Sequence, residues 1–408
     1  MSDEFASSSR VVLRYAQETE FGVPPTTGDH HLLSMTGESL DFSIEKTQSE
    51  EINPDRGVTD VIATSASASG GVNVELKHSA YDALIEAGLQ GAWTDGASVE
   101  LDITATATEL SIATGTFPVG KLVPGQFFGI TSPTGQANHN TLLRVSTAAD
   151  AVAAQLIKLD PLLPATPGAM TGVKISTSRL RNGTTRRSFT VEKHFSDVGV
   201  YKPYVGMNVS GFTLNAAAGA LTTGEIQFMG RNAMVNSGTT KMPGSLVVAP
   251  DSRPMSGMTG TVCAVWVDDA PLAGTYVNSL ALTLDNNMRQ QNAMCTADAN
   301  GVPGAVGIGN GQLAVSGTLE IYFSAQDVLY SEFVTNRNVK LMFTMFDTEG
   351  NGYVVQLPKA NISSHKSNAA GNNQDVMATI EYTGLQLKSS NAALNGAALI
   401  IDRIEFGA

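Results

Sequence analysis

The chain has 408 residues, long enough for two or three domains. Hydrophobic residues make up 42%, charged residues only 15%, and there are 40 Gly. This excludes a disordered chain, which carries more charge, and a long-helical one, which carries more Lys, Glu and Leu. A formal net charge of −13 opposes adhesion to nucleic-acid backbones. That excludes a DNA-binding role but not a channel through which DNA slides.

Met1 to Arg10 is polar and acidic, without the basic and apolar regions of a signal peptide. No apolar run approaches the ~18 residues of a membrane span, so a cytosolic chain is expected. Residues 1–96 hold 5 Lys and Arg against 16 Asp and Glu, a balance of −11. Much of that charge lies between Glu45 and Asp60, where Asn53-Pro54, Gly57 and the lack of flanking apolar structure predict a long loop over about 41–69. Paired catalytic carboxylates need a fixed separation in a cleft, and calcium needs alternating oxygen ligands around a turn; this run offers neither. The role predicted for it is docking onto a neighbouring subunit, through Glu45, Glu50, Glu51, Ile52, Asp55 and Arg56.

Val72, Val74 and Leu76 alternate with Asn73, Glu75 and Lys77, as a half-buried strand does. Ser79 with Asp82 three residues later predicts a cap for a short helix over Tyr81 to Leu89. Residues 97–182 change character: 6 Lys and Arg against 5 Asp and Glu. They contain short strands at Val99 to Ile103, Glu109 to Ile112, Phe127 to Ile130, Leu142 to Val145, Leu156 to Leu159 and Val173 to Ile175. Breaks at Pro124-Gly125, Pro133 with Gly135, and Pro164 to Gly168 punctuate them. This predicts a small β-barrel or sandwich inserted between residues 1–96 and 183–408. Further strands follow at Thr190 to Lys193, Glu225 to Gly230, Leu280 to Leu284, Leu341 to Met345 and Val376 to Tyr382. Leu319, Ile321 and Phe323 alternate with polar partners and lead to Ser324, Asp327 and a helix from Val328 to Phe333. The two strand-then-capped-helix units, with Glu75 and Glu320 in mid-strand, match at an offset of 245 residues and predict an internal repeat. The class is mainly β, with a helix packed against each sheet or its edge.

No catalytic constellation emerges. His30, His31, His78, His139, His194 and His365 form no metal-binding spacing and read as surface loop residues. Cys263 and Cys295 are too few for a disulfide framework and read as reduced. Gly304 to Gly311 leads into a strand and not a helix, so it reads as a flexible loop and not a phosphate cradle. There is no Gly-x-Ser-x-Gly. No enzyme, metal or cofactor is expected.

The segment Val12-Leu13-Arg14-Tyr15-Ala16-Gln17-Glu18-Thr19-Glu20-Phe21-Gly22-Val23-Pro24 resembles the start of the tail tube proteins of long-tailed, non-contractile bacteriophages (siphophages). Similar likenesses run through Ser49-Glu50-Glu51-Ile52 with Asp55-Arg56, Gly70-Gly71 to Leu89 with Trp93, and Arg181-Asn182-Gly183-Thr184 to Lys193. Others lie at Tyr204 to Val209, Gly224 to Gly230, Asp285-Asn286-Asn287, Ala378 to Leu385 and Ile400 to Arg403. The resemblance covers most of the chain outside 97–182. It implies a tail-tube-type β-sandwich or barrel with flanking short helices, assembled as stacked hexameric rings around a continuous β-barrel lumen that conducts DNA during ejection. It implies docking by the long loop, an outward decoration at 97–182, and a place in the virion tail after assembly in the host bacterial cytoplasm. Implied partners are further copies of the chain and the tape-measure, tail tip and tail terminator proteins. Double-stranded DNA would pass without specific binding, and no membrane is involved. Glu75 and Glu320 are candidate lumen residues. The competing readings are the tube of a contractile injection system, and a capsid decoration or carbohydrate-binding β-sandwich module.

Overall fold

The computed structural model describes residues 5–94, 99–114, 116–117, 119–148, 150–249, 252–257, 265–272, 276–294, 304–324, 328–369 and 371–406. The protein is mainly β, with two short α-helices among the described residues, α1 (Asp82–Leu89) and α2 (Val328–Thr335). Nineteen strands join by hydrogen-bonded ladders into one network, and seven others form a separate sheet. The alternation in sequence sets the layers. In Val277–Asp285, Leu280, Leu282 and Leu284 are buried while Ser279, Ala281 and Thr283 face outward.

The network is built twice over. In the first half, Val11–Gln17 pairs with Phe189–Phe195, which pairs with the start of the long strand Val200–Ala217; the end of that strand pairs with Thr223–Gly230, and Thr223–Gly230 with Val61–Glu75. In the second, Val265–Val267 pairs with Asn338–Phe346, which pairs with the start of Gly352–Asn368; its end pairs with Met377–Gly384, and that strand with Ala314–Tyr322. Asp41–Gln48 flanks Val61–Glu75 as Val277–Asp285 flanks Ala314–Tyr322. A helix follows the equivalent strand in each half. Even the register slips coincide: Ser210 and Ser363 are both the extra residue of a bulge, and slips at Phe189/Val191 and Val339/Leu341 match as well. Bulges aligned in this way make Val72 the counterpart of Leu319, since these pair with Ile226 and Ile380. The repeat predicted from sequence is therefore present but two residues out of step. Glu320 corresponds to Asn73, and Glu75 to Tyr322.

The halves differ after the helix. In the second, α2 ends at Thr335 and the next strand begins at Asn338; in the first, α1 ends at Leu89 and the equivalent strand begins at Phe189. The intervening chain holds the seven-stranded sheet, in the order Val152–Ala153, Leu156–Lys158, Glu109–Thr114, Val99–Ala105, Gly168–Ser176, Phe127–Thr131, Thr141–Arg144. It has its own core around Ile103, Leu110, Phe128, Ile157 and Val173. A single bridge between Val145 and Leu159 brings its two edges together, with no full ladder closing it.

This sheet is bound firmly to the body. Phe127 and Leu142 pack with Trp266, Met342, Phe346, Val354, Ile404 and Phe406 in a third cluster. Beside it, Arg179 forms a buried bidentate pair with Asp402, Nε to Oδ1 at 2.6 Å and Nη2 to Oδ2 at 2.8 Å. Arg144, also buried, reaches Asp269 at 2.5 Å and Asp160 at 3.2 Å.

Local expectations need correction at several points. The predicted loop over 41–69 is a β-hairpin, with arms Asp41–Gln48 and Val61–Glu75 and only 49–60 irregular. Its outer reach, Asp41–Gln48 against residues 61–64, is Ser-, Thr- and Ala-containing and largely exposed on both faces, so it lacks the apolar alternation by which strands are read; burial of alternate residues begins only at Ala66. Ser79 does not cap α1. It sits at φ +60°, its N–H donates to the Tyr353 hydroxyl, and Tyr81 takes the cap position without a side-chain bond. Asp82 instead accepts from the Tyr353 hydroxyl at 2.6 Å and pairs with Arg403. Ser324 is described, but Asp327 lies outside the described residues, as do Cys263 and Cys295. The histidines are not all in surface loops: His30 and His194 are in strands, and His30 and His78 are buried.

Candidate functional site

Strand register, not a cleft, assembles the most distinctive surface. Six strands lie side by side: Val61–Glu75, Thr223–Gly230, Val200–Ala217, Val277–Asp285, Ala314–Tyr322 and Met377–Gly384. One face is core, carrying Val72, Val74, Ile226, Phe212, Leu214, Leu282, Leu319 and Ile380. The opposite face can be followed residue by residue through the ladders. One row runs Glu75, Thr223, Asn215, Ala281, Thr318, Glu381. The next runs Asn73, Glu225, Thr213, Thr283, Ser316, Thr383. Flanking rows add Gln227 with Asp285, and Ser279 with Glu320 and Thr379. All are half-buried or exposed.

The face carries five carboxylates, Glu75, Glu225, Asp285, Glu320 and Glu381, among hydroxyls, amides and alanine. Along these rows it presents no Lys or Arg; Lys366 on the adjoining strand lies 3.6 Å from Glu381. Glu320 is held by Asn278 Nδ2 at 2.7 Å and Ser279 Oγ at 3.3 Å. Both lumen candidates thus lie on one face. Glu225, Asp285 and Glu381 were missed as members, because membership depends on which strands are neighbours. The strands themselves had a signal, the alternation around Leu282 and Ile380.

The loop candidates fall at the hairpin's far end, away from this face's centre. Glu45 lies in the first arm, its carboxylate bonded by Ser65 Oγ at 2.7 Å; Glu50, Glu51, Ile52, Asp55 and Arg56 lie in the tip. Ile52 is 97% exposed, and Val58, Val61 and Ile62 are exposed beside it. Arg56 sits at φ +61° in the turn closed by its N–H to the Asn53 carbonyl.

Elsewhere nothing reads as chemistry. Among the described residues no three His, Cys, Asp or Glu are placed to hold a metal. The titration shifts that stand out are burial effects: His30, His78 and His194 are held below the usual imidazole range by desolvation, and the Tyr353 phenol is raised well above its own. Among the described residues no helix is long and apolar enough to cross a membrane. The profile of the phage tail tube protein family matches residues 8–384. No curated protein matches the chain. The chain belongs to the phage tail tube family, whose members are structural subunits of the virion tail and not enzymes.

Proposed function

We propose that this tail tube subunit builds stacked rings in the tail of a long-tailed, non-contractile phage, and that its polar sheet face lines a bore carrying DNA during ejection. The observation that carries this reading is the face with five carboxylates and no Lys or Arg over six strands. Each lysine or arginine that contacts phosphate gains affinity by releasing counterions, so a lining without them lets a duplex slide without adsorbing. The family resemblance implies six subunits around the bore. The hairpin 41–69 joins subunits, its tip residues Glu50, Glu51, Ile52, Asp55 and Arg56 docking on a neighbour; the exposure of Ile52 supports this.

Residues 97–182 form an inserted domain between the tube segments 1–96 and 183–408, and they decorate the tube exterior. The support is that their sheet packs on Asn338–Phe346 and Ile400–Ile404, in the layer behind the polar face. Assembly takes place in the host cytoplasm, with tape-measure, tail tip and terminator proteins as partners. A contractile-system tube, usually shorter and without an insert, fits less well. A carbohydrate binder would need exposed aromatic platforms, but Trp266 is buried and Trp93 is half-buried under Arg403.

Phages carrying Glu225→Lys, Glu320→Lys and Glu381→Lys together should eject DNA more slowly, with a delay that shrinks as salt rises. Unchanged ejection from normally assembled tails would remove this face from the bore.

A further inference from the structure

The ladders along the long strands of the first half have their counterparts in the second, and the joint between the two halves is an exception that points outside the chain. The end of Val200–Ala217 is paired on both sides: with Thr223–Gly230, and with Val277–Asp285, which belongs to the second half. Its counterpart, the end of Gly352–Asn368, is paired with Met377–Gly384 on one side and has no strand on the other among the described residues. The counterpart of Val277–Asp285 is the stretch Gly37 to Ser43, which likewise has Val61–Glu75 on one side only. The joint between the two halves is thus repeated, unfilled, at both outer edges of the molecule. Helix packing does not obstruct it, because α1 sits on Val200–Ala217 and leaves that strand's joint intact, as α2 sits on Gly352–Asn368.

We propose that the edge at Ser363 to Asn368 of one chain pairs, antiparallel, with the edge at Ser39 to Ile44 of a second copy, repeating the internal joint, and that three chains close the ring. This rests on the tube reading above. The internal register, Gly211 opposite Asp285 and Thr213 opposite Thr283, transfers to Ser364 opposite Ser43 and Lys366 opposite Asp41. The transferred register brings together opposite charges that the sequence of either edge alone does not predict. Lys366 is exposed at the end of the polar face, and Asp41, 80% exposed, lies 3.8 Å from Lys202. Exposed edges of this kind invite pairing, and closure is what removes them.

The number of chains follows from strand count. Each chain supplies eight strands to the bore: the six above with Asp41–Gln48 and Gly352–Asn368 at the two sides. At ~4.8 Å between strands and ~40° tilt, eight strands span an arc of about 50 Å. Two chains would close at about 32 Å across the backbone, too tight for a hydrated duplex once side chains are in place, and six at about 95 Å. Three close at about 48 Å. Two modules per chain then give six modules from three chains, in place of the six chains the resemblance implies.

The test uses the full chain with Cys263→Ser and Cys295→Ser, carrying Ser364→Cys and Ser43→Cys. These positions fall opposite each other with Cα atoms ~4.5–5.5 Å apart, within disulfide reach. Assembled tubes should be oxidised and run on a non-reducing denaturing gel. A ladder that ends at three chains, with a circular species there, is the expected result. A ladder running to six would overturn the three-chain ring. Tubes visible by electron microscopy without cross-links would overturn the edge pairing and leave the tube reading intact, whereas failure of the wild-type chain to form tubes with tail-tip components would overturn that reading itself. Charge reversal gives an independent readout: Lys366→Glu and Asp41→Lys should each lower tube yield roughly tenfold, and the double reversal should restore most of it. No rescue would refute the register.

Discussion

Removing the buried carboxylate of Asp402 should be among the most destabilising single changes in the chain. Asp402 is fully buried and Arg179 nearly so. The carboxylate accepts from Arg179 Nε and Nη2, from Gln356 Nε2 at 2.5 Å and from the Phe127 N–H at 2.9 Å. Arg179 keeps one bond, to the Gly125 carbonyl at 2.7 Å, when the aspartate is gone. Asp402→Ala therefore strands a guanidinium in the joint between insert and body, at a cost of about 3–5 kcal/mol. At ~2 °C per kcal/mol for a chain this large, the melting temperature should fall by about 6–10 °C. Replacing both partners, Arg179→Met with Asp402→Leu, removes the charges along with the need to pair them. It should recover much of the loss, since the desolvation cost of the pair disappears too. Scanning calorimetry on the unassembled chain reads both. An Asp402→Ala variant melting within 2 °C of wild type, or a double variant worse than the single, would refute the reasoning.

Three other changes follow from particular contacts. His78 is buried with Nε2 lacking a hydrogen bond, and desolvation outweighs the carboxylates of Glu405, Asp82 and Asp347 around it, against which Arg403 also acts, so its folded pKa lies below the unfolded value near 6.5. The unfolded chain then binds more protons, so stability should fall as pH drops below about 6.5; His78→Gln should flatten that slope in part, as read from melting curves at pH 7 and 5. Gly70 and Gly317 are counterparts in the repeat, and a Cβ on either would lie 2.4 Å from the Ser39 carbonyl oxygen or 2.1 Å from that of Ala281. Alanine at either should cost about 1–3 kcal/mol, seen as a lower urea midpoint, and an unchanged midpoint would show that the strands can part cheaply. Ile52→Asp touches nothing within the chain, so it should leave the melting temperature unchanged while reducing assembly; normal tubes would remove the tip from the docking surface.

The sequence was informative wherever one face of a strand meets a core. Val72 and Val74, Leu280 to Leu284, and Ala378 to Tyr382 all lie where alternation put them, since each buried position shows as apolar against a polar neighbour. It misled where both faces are wet. The outer reach of the hairpin, Asp41–Gln48 against residues 61–64, is exposed on either side, and backbone pairing, invisible to a periodicity argument, makes it strand. Ser79 misled for another reason. A serine three residues before an aspartate is the pattern of a cap, but here the aspartate is claimed by Tyr353 and Arg403, residues far along the chain.

The site shows the same division at a larger scale. Glu75 and Glu320 were legible as polar-face residues of their own strands, but the face they share is set by five ladders. All five ladders join strands through side-chain burial on the opposite surface: Ile226 beside Val72, Phe212 beside Ile226, Leu282 beside Leu214, Leu319 beside Leu280, Ile380 beside Leu319. The apolar side thus determines which polar residues become neighbours, while the polar side is left free to be chosen for what passes over it. That freedom explains why the repeat is clear in bulges and ladders yet faint in sequence. Gly70 and Gly317 are retained because a backbone crosses each, whereas Glu75 and Tyr322, or Asn73 and Glu320, share a position without sharing a residue type. If the face lines a bore, its common requirement is a scarcity of lysine and arginine: the rows of the six central strands present none, and Lys366 at the second half's edge lies beside Glu381.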